Sequence, residues 1–187
     1  MRLIEFAAAA ALAAAPISAS ASTIFADVVL EFFDSGAGPL TGPYGNDGVS
    51  FPVPVDLSVA TDGRTPSSVS LPTGSFLTLG FSSGFVFDGP GNDIFISEPG
   101  QGFEVADVSV SSDGGQSFTS LGRAFGNQLT ELDLADIGFT GQVNAIKIVG
   151  LDNGGGSPGF DVAFVQGLEG SSVVPPQMIS SGPTTTV

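Results

Sequence analysis

Apolar and polar residues alternate with a period of two along much of this chain, the spacing that puts every second side chain on one face of a β-strand. From Ile24 to Phe32 the even positions Ile24, Ala26, Val28, Leu30 and Phe32 are apolar, with Asp27 and Glu31 facing the other way. Phe51, Val53, Val55, Leu57 and Val59 alternate as well, but Pro52 and Pro54 stand between them. Proline has no N–H to give to a ladder, so this run is expected as an edge strand or an extended loop. Leu77, Leu79 and Phe81 predict a further strand, and Phe85 to Phe87 and Ile94 to Ile96 predict short ones. Val108 and Val110 follow Phe103 and Val105 one residue out of step, which predicts a bulge near Ala106. Val143 to Leu151 is a nearly continuous apolar run carrying Lys147, and Phe160, Val162, Phe164 and Leu168 share a face opposite Asp161.

Clusters of Gly, Pro, Asn, Asp and Ser separate these runs: DSGAGPLTGPYGNDG, DGPGND, SSDGGQS and DNGGGSPG. Such pairs as Asn-Asp-Gly and Asp-Gly-Gly supply positive φ at low cost and so mark turns. Helical patterning is confined to Leu132–Ile137, enough for one turn, with Gly138 to stop it. Some eight short strands with turns between them predict an all-β protein, an antiparallel sandwich or barrel. The chain has 16 Phe, and strand alternation predicts that nearly all of them fill the core.

Composition then narrows the chemistry. The 187 residues allow one domain with tails, and 4 basic against 19 acidic residues give a net charge of −15. Without His or Cys there is no imidazole or thiolate metal site, no thiol nucleophile, no disulfide and no Ser-His-Asp triad. So acidic a surface does not suit nucleic-acid phosphates, which are bound through Lys and Arg. Residues 1–21 carry a short Ala/Leu run ending Ala19-Ser20-Ala21, the form of a secretory signal peptide. The expected organisation is a signal peptide (1–21), a β-sandwich domain (22–169) and a flexible Ser/Thr/Pro-rich tail (170–187). The expected location is outside the cell or at its surface, with no membrane span in the mature chain.

Three stretches carry a resemblance. VSLPTGSFLTLGFSSGFVFDGPGNDIFISEPG (Val69 to Gly100) resembles a strand pair and loop of exported bacterial cell-surface proteins of the "DGPGxDxxVFENGF" type. FEVADVSVSSDGGQSF (Phe103 to Phe118) is similar to the hairpin that follows in that group. LDLADIG (Leu132 to Gly138) and VNAIKIVGLDNGGGSPGFDVAFVQ (Val143 to Gln166) resemble its closing segments, in the same order. Members often end in a PEP-CTERM or VPLPA-CTERM sorting tail; here Val173-Val174-Pro175-Pro176 stands at that place, followed by neither an apolar helix nor an arginine cluster. The resemblance implies a jelly-roll, galactose-binding-like sandwich, a fold often used for sugars and often holding a structural calcium.

The acidic loops offer the site chemistry. Hard cations such as Ca²⁺ take several oxygen ligands from carboxylates, Asn side chains and loop carbonyls. Asp88, Asn92, Asp93 and Glu98 fall within eleven residues on a Gly/Pro loop, Glu104 opens the next strand, and Asp152 and Asp161 flank the last Gly-rich loop. In the resembling group Asp88, Asp93, Glu98, Glu104 and Asp161 lie on repeated acidic positions, which makes them the expected Ca²⁺ ligands if the sandwich brings the 88–98 and 152–161 loops together. The competing reading is ordinary turn acids on a soluble surface. Gly89 to Phe95 matches one copy of a calcium β-roll repeat, but one copy cannot bury its own face. The expected function is a non-catalytic secreted or surface module, adhesive or glycan-binding, whose partner is an extracellular polysaccharide or cell-surface glycan. The alternatives are a structural protein without a ligand, or a glycan-active hydrolase or lyase with a carboxylate pair among Asp88, Glu98, Glu104 and Asp161.

Overall fold

A computed structural model describes residues 23–63, 65–100 and 102–167. The expected signal peptide, the tail from residue 170 and Leu168 lie outside these residues. Among the described residues the chain forms β1 (Ile24–Phe25), β2 (Val28–Phe33), β3 (Tyr44–Asn46), β4 (Val53–Pro54), β5 (Ser68–Leu71), β6 (Phe76–Gly80) and β7 (Ile94–Glu98). There follow β8 (Val105–Ser111), β9 (Thr119–Phe125), β10 (Gln128–Leu132), β11 (Ala145–Gly150), β12 (Phe160–Val162) and β13 (Phe164–Gly167).

One layer is the five-stranded sheet β2-β6-β11-β8-β9. Facing it are two four-stranded sheets, β1-β13-β7-β10 and β12-β5-β3-β4, joined where β12 runs through Ala163 into β13. Every strand pairing is antiparallel. Leu77, Leu79 and Ile148 of the first layer pack in one core with Val69, Ile96 and Phe160 of the second. The fold is therefore an all-β antiparallel sandwich, as the alternation and turn chemistry predict.

Several local expectations hold. β4, which contains Pro54 and follows Pro52, is the edge strand of its sheet, where the missing N–H breaks no ladder. A 3₁₀ turn spans Leu134–Ile137, where Gly138 ends it at φ 63°, but a second one, capped by Asp56, spans Leu57–Ala60, where the alternation predicts extended chain. β11 lies at the centre of the five-stranded sheet, which accounts for its near-continuous apolar run.

Others are corrected. The Ile24–Phe32 run is two strands in different layers, because Asp27 turns the chain, holding Ser82 N at 2.7 Å and bonding its hydroxyl. Beyond it a register shift between Val29 and Glu31 leaves Leu30 45 % exposed. No bulge forms at Ala106. Phe103 is fully exposed, ahead of β8, and the irregularity lies between Val108 and Ser109, where β9 carries Leu121 as its extra residue. Among the described residues only Phe81, Phe95 and Phe160 are buried, so the core is built of Leu, Ile and Val. Phe32 and Phe139 pack against its edge, while others pair outside it: Phe33 stacks on its cross-strand partner Phe76 at 5.3 Å, and Lys147 Nζ stands 3.4 Å over Phe76. Asp161, expected on the outer face, is buried, and beyond Ala163 the parity changes, so that Val165 enters the core and Phe164 packs edge-on against Phe25.

A three-carboxylate cleft as the candidate functional site

Glu98 ends β7, Glu104 immediately precedes β8 and Asp161 is the middle residue of β12. The sandwich brings these three together from distant parts of the chain. One carboxylate oxygen of each lies within 4.8 Å of the others, and the side chains are only 2 %, 2 % and 7 % exposed. Ca²⁺ holds its oxygens at about 2.3–2.6 Å, so two oxygens of one shell are at most about 5.2 Å apart. The three carboxylates satisfy that limit.

Each acid is held differently. Glu98 Oε1 accepts the Gly100 N–H at 2.8 Å, and its Oε2 accepts the N–H of Asn127. Asn127 adopts φ 59° in the two-residue turn between β9 and β10, so that hairpin clasps the end of β7. Asp161 Oδ1 accepts the hydroxyl of Ser70, its cross-strand partner on β5, and the Ser157 hydroxyl lies 2.7 Å from that of Ser70. No N–H or hydroxyl donates to the buried Glu104 Oε2, and the Glu104 carboxyl lies within hydrogen-bonding reach of that of Glu98, a contact that needs a shared proton. Beside it Asp152 is tied to the backbone, accepting Val105 N–H at 2.6 Å and Gly154 N–H at 2.9 Å.

Glycines make the packing possible. A Cβ on Gly155 would overlap Glu104 Oε1, one on Gly100 would overlap Glu98 Oε1, and one on Gly102 would stand 2.9 Å from Glu104 Oε1. Gly155 also needs its left-handed φ of 79°.

The electrostatics follow from the crowding. Burial pushes the Glu104 carboxyl up to about 9, helped by the charges of Asp161 and Glu98. Burial also lifts Asp161 to about 7 against the opposing hydrogen bond from Ser70. The buried Tyr44, whose hydroxyl donates to Pro158 O, is raised to about 12 by burial and then by Asp161. Among the described residues the ion pair is Arg123–Asp107, on the surface, so none balances the three acids. Only a proton or a cation can do so.

Glu104 and Asp161 border a cavity of about 470 Å³. Its walls include Asn46, Phe51, Pro66 and Ser157, with Phe51 59 % exposed. Asn46 Oδ1 accepts the Gly48 N–H at 2.7 Å, leaving its amide hydrogens as donors.

The five acids singled out in the sequence do not form one site. Asp88 and Asp93 stand at the far end of β7, about 16 Å along the strand from Glu98, and group with Asp133. There Asp93 is buried and tied to the backbone: Oδ1 accepts Gly89 N–H and Oδ2 accepts Leu134 N–H, both at 2.9 Å. Asn92, another candidate ligand, donates instead to Glu131. Sequence reasoning missed Ser70, Ser157, Phe51 and the glycine walls. Of these only the glycines left a signal, in the PGQG and NGGG stretches.

No family model matches this chain, and no curated protein matches it in sequence. Among solved structures, a truncated AlyQ with CBM32 and alginate lyase domains aligns with a TM-score of 0.49 at 14 % identity, covering 81 % of this chain and 34 % of that one. This chain thus spans about a third of that protein. The C-terminal domain of a chitobiase from Bacteroides fragilis aligns with a TM-score of 0.43 at 13 % identity, over 77 % of this chain and all of that domain. Identities this low carry neither protein's ligand to this one.

Proposed function

We propose that this protein is a non-catalytic, exported β-sandwich module in which Glu98, Glu104 and Asp161 hold one Ca²⁺ ion and the adjoining cleft receives a glycan. The observation that carries the reading is the buried Glu104 Oε2, without a donor, inside a three-carboxylate cluster. A buried carboxylate oxygen that no N–H or hydroxyl reaches, crowded by two further carboxylates, is costly, and a divalent cation would offset that cost. The ion would tie the end of β7, the start of β8 and the middle of β12, segments far apart in sequence. The cleft supports the ligand half of the reading, being of the size usual for small-molecule sites and combining an exposed aromatic face with a few polar groups.

A hydrolytic carboxylate pair is the second reading, and activity separates it from the ion site. Incubation with a panel of soluble polysaccharides is expected to release no reducing ends or unsaturated products. Turnover abolished by Glu104→Gln would replace this reading with an enzymatic one.

Thermal unfolding of the chelated protein, with and without about 1 mM Ca²⁺, tests the ion itself. The expected result is a higher melting temperature with Ca²⁺, lost in Asp161→Asn. An unchanged melting temperature would remove the ion from the account.

A further inference from the structure

We propose that the ion is itself part of the glycan site, and that it chelates two neighbouring hydroxyls of a neutral sugar whose ring lies against Phe51. The inference rests on the calcium reading above and names the ligand class of the same cleft. Ca²⁺ takes six to eight oxygens. Three carboxylates, two of them already engaged by backbone N–H or hydroxyl donors, do not complete that shell. Glu104 and Asp161 both border the cavity, so the open positions face it.

Charge selects the occupant. Three carboxylates already exceed the two positive charges of the ion, and Asp152 adds a further negative charge beside Glu104. A uronate or phosphate entering there would meet net repulsion, whereas neutral hydroxyls complete the shell without it. A vicinal diol offers two oxygens at the spacing of neighbouring positions in the shell. Phe51 supplies the second contact. Its exposed ring borders the same cavity, and an aromatic face attracts the weakly positive C–H groups on the apolar side of a sugar ring. Gly156 leaves room for that ring, since a Cβ there would come within 2.6 Å of it. Asn46 adds amide donors on the same wall.

The test titrates the protein with methyl glycosides of mannose, galactose and glucose and with galacturonic acid, by calorimetry, in Ca²⁺ and in EDTA. Phe51→Ala and Asp161→Asn are run beside the natural sequence. At least one neutral glycoside is expected to bind in Ca²⁺ and to lose about tenfold or more in EDTA. Phe51→Ala is expected to weaken the sugar about fivefold while keeping the Ca²⁺-dependent melting shift. Asp161→Asn is expected to lose both. Sugar binding indifferent to EDTA would overturn the chelation, as would preference for the uronate. A Ca²⁺ melting shift without binding of any panel sugar would leave the ion purely structural and sink the inference alone. Absence of the shift itself would sink the calcium reading as well.

Discussion

Glu104 is the residue on which charge, burial and function meet. At pH 8, below its raised value of about 9, folded Glu104 holds a proton that the unfolded chain has released, and Glu104→Gln removes the cost of taking it up. In EDTA at pH 8 this variant is expected to melt a few degrees above the natural protein, while losing its response to Ca²⁺. A variant both less stable and still responsive would contradict the assignment. The pH dependence has a defined sign. Glu104 and Asp161 have ordinary values of 4.5 and 3.8, raised here to about 9 and about 7. The folded chain therefore holds protons that the unfolded chain has released, and their stabilising effect is present at acid pH and lost as pH rises through 7 and then 9. Asp27 and Asp34, lowered by their hydrogen bonds with Ser82 and with Gly42 and Gly36, act only in more acid solution. Melting temperature in EDTA is expected to fall between pH 5 and 9, and saturating Ca²⁺ to flatten that fall. A flat profile without Ca²⁺ would mean that the three acids are not buried together.

Among the elements, the division between an aliphatic core and outward phenylalanines is the most testable feature. Ile148, fully buried on the central strand β11, is expected to cost about 2–5 kcal/mol when replaced by alanine. Phe103, fully exposed, is expected to cost less than about 0.5 kcal/mol. Urea unfolding measures both, and equal losses would contradict the packing described. The same comparison explains what was legible in the chain. Period two identified most strands, and the prolines identified the edge, because both act locally. Counting nearly every Phe as core is the error: Phe33 and Phe76 stand on the faces opposite Phe32 and Leu77 and pair on the outside around Lys147. Alternation does not register Asp27 turning one run into strands of two layers. Three of the five candidate acids converge because β12 carries Asp161 to β5 and the β9–β10 turn clasps Glu98, pairings that no local pattern encodes.

For the whole molecule, the decisive fact is that a chain of net charge −15 concentrates three buried carboxylates at one cleft. Added NaCl screens the exposed acids, many of them in hydrogen-bonded turns such as Asp113, but reaches the buried cluster poorly. Salt is therefore expected to stabilise the chelated protein less, at equal ionic strength, than Ca²⁺ does. Mg²⁺, smaller and demanding near-ideal octahedral geometry, is expected to substitute poorly. The most direct measurement is calorimetric titration of the chelated protein with Ca²⁺ near pH 8, with Glu104→Gln and Asp161→Asn alongside. Saturation at one ion per chain, with protons released on binding and no heat from either variant, is the expected result. No binding at millimolar Ca²⁺, or a site that survives both substitutions, would contradict it.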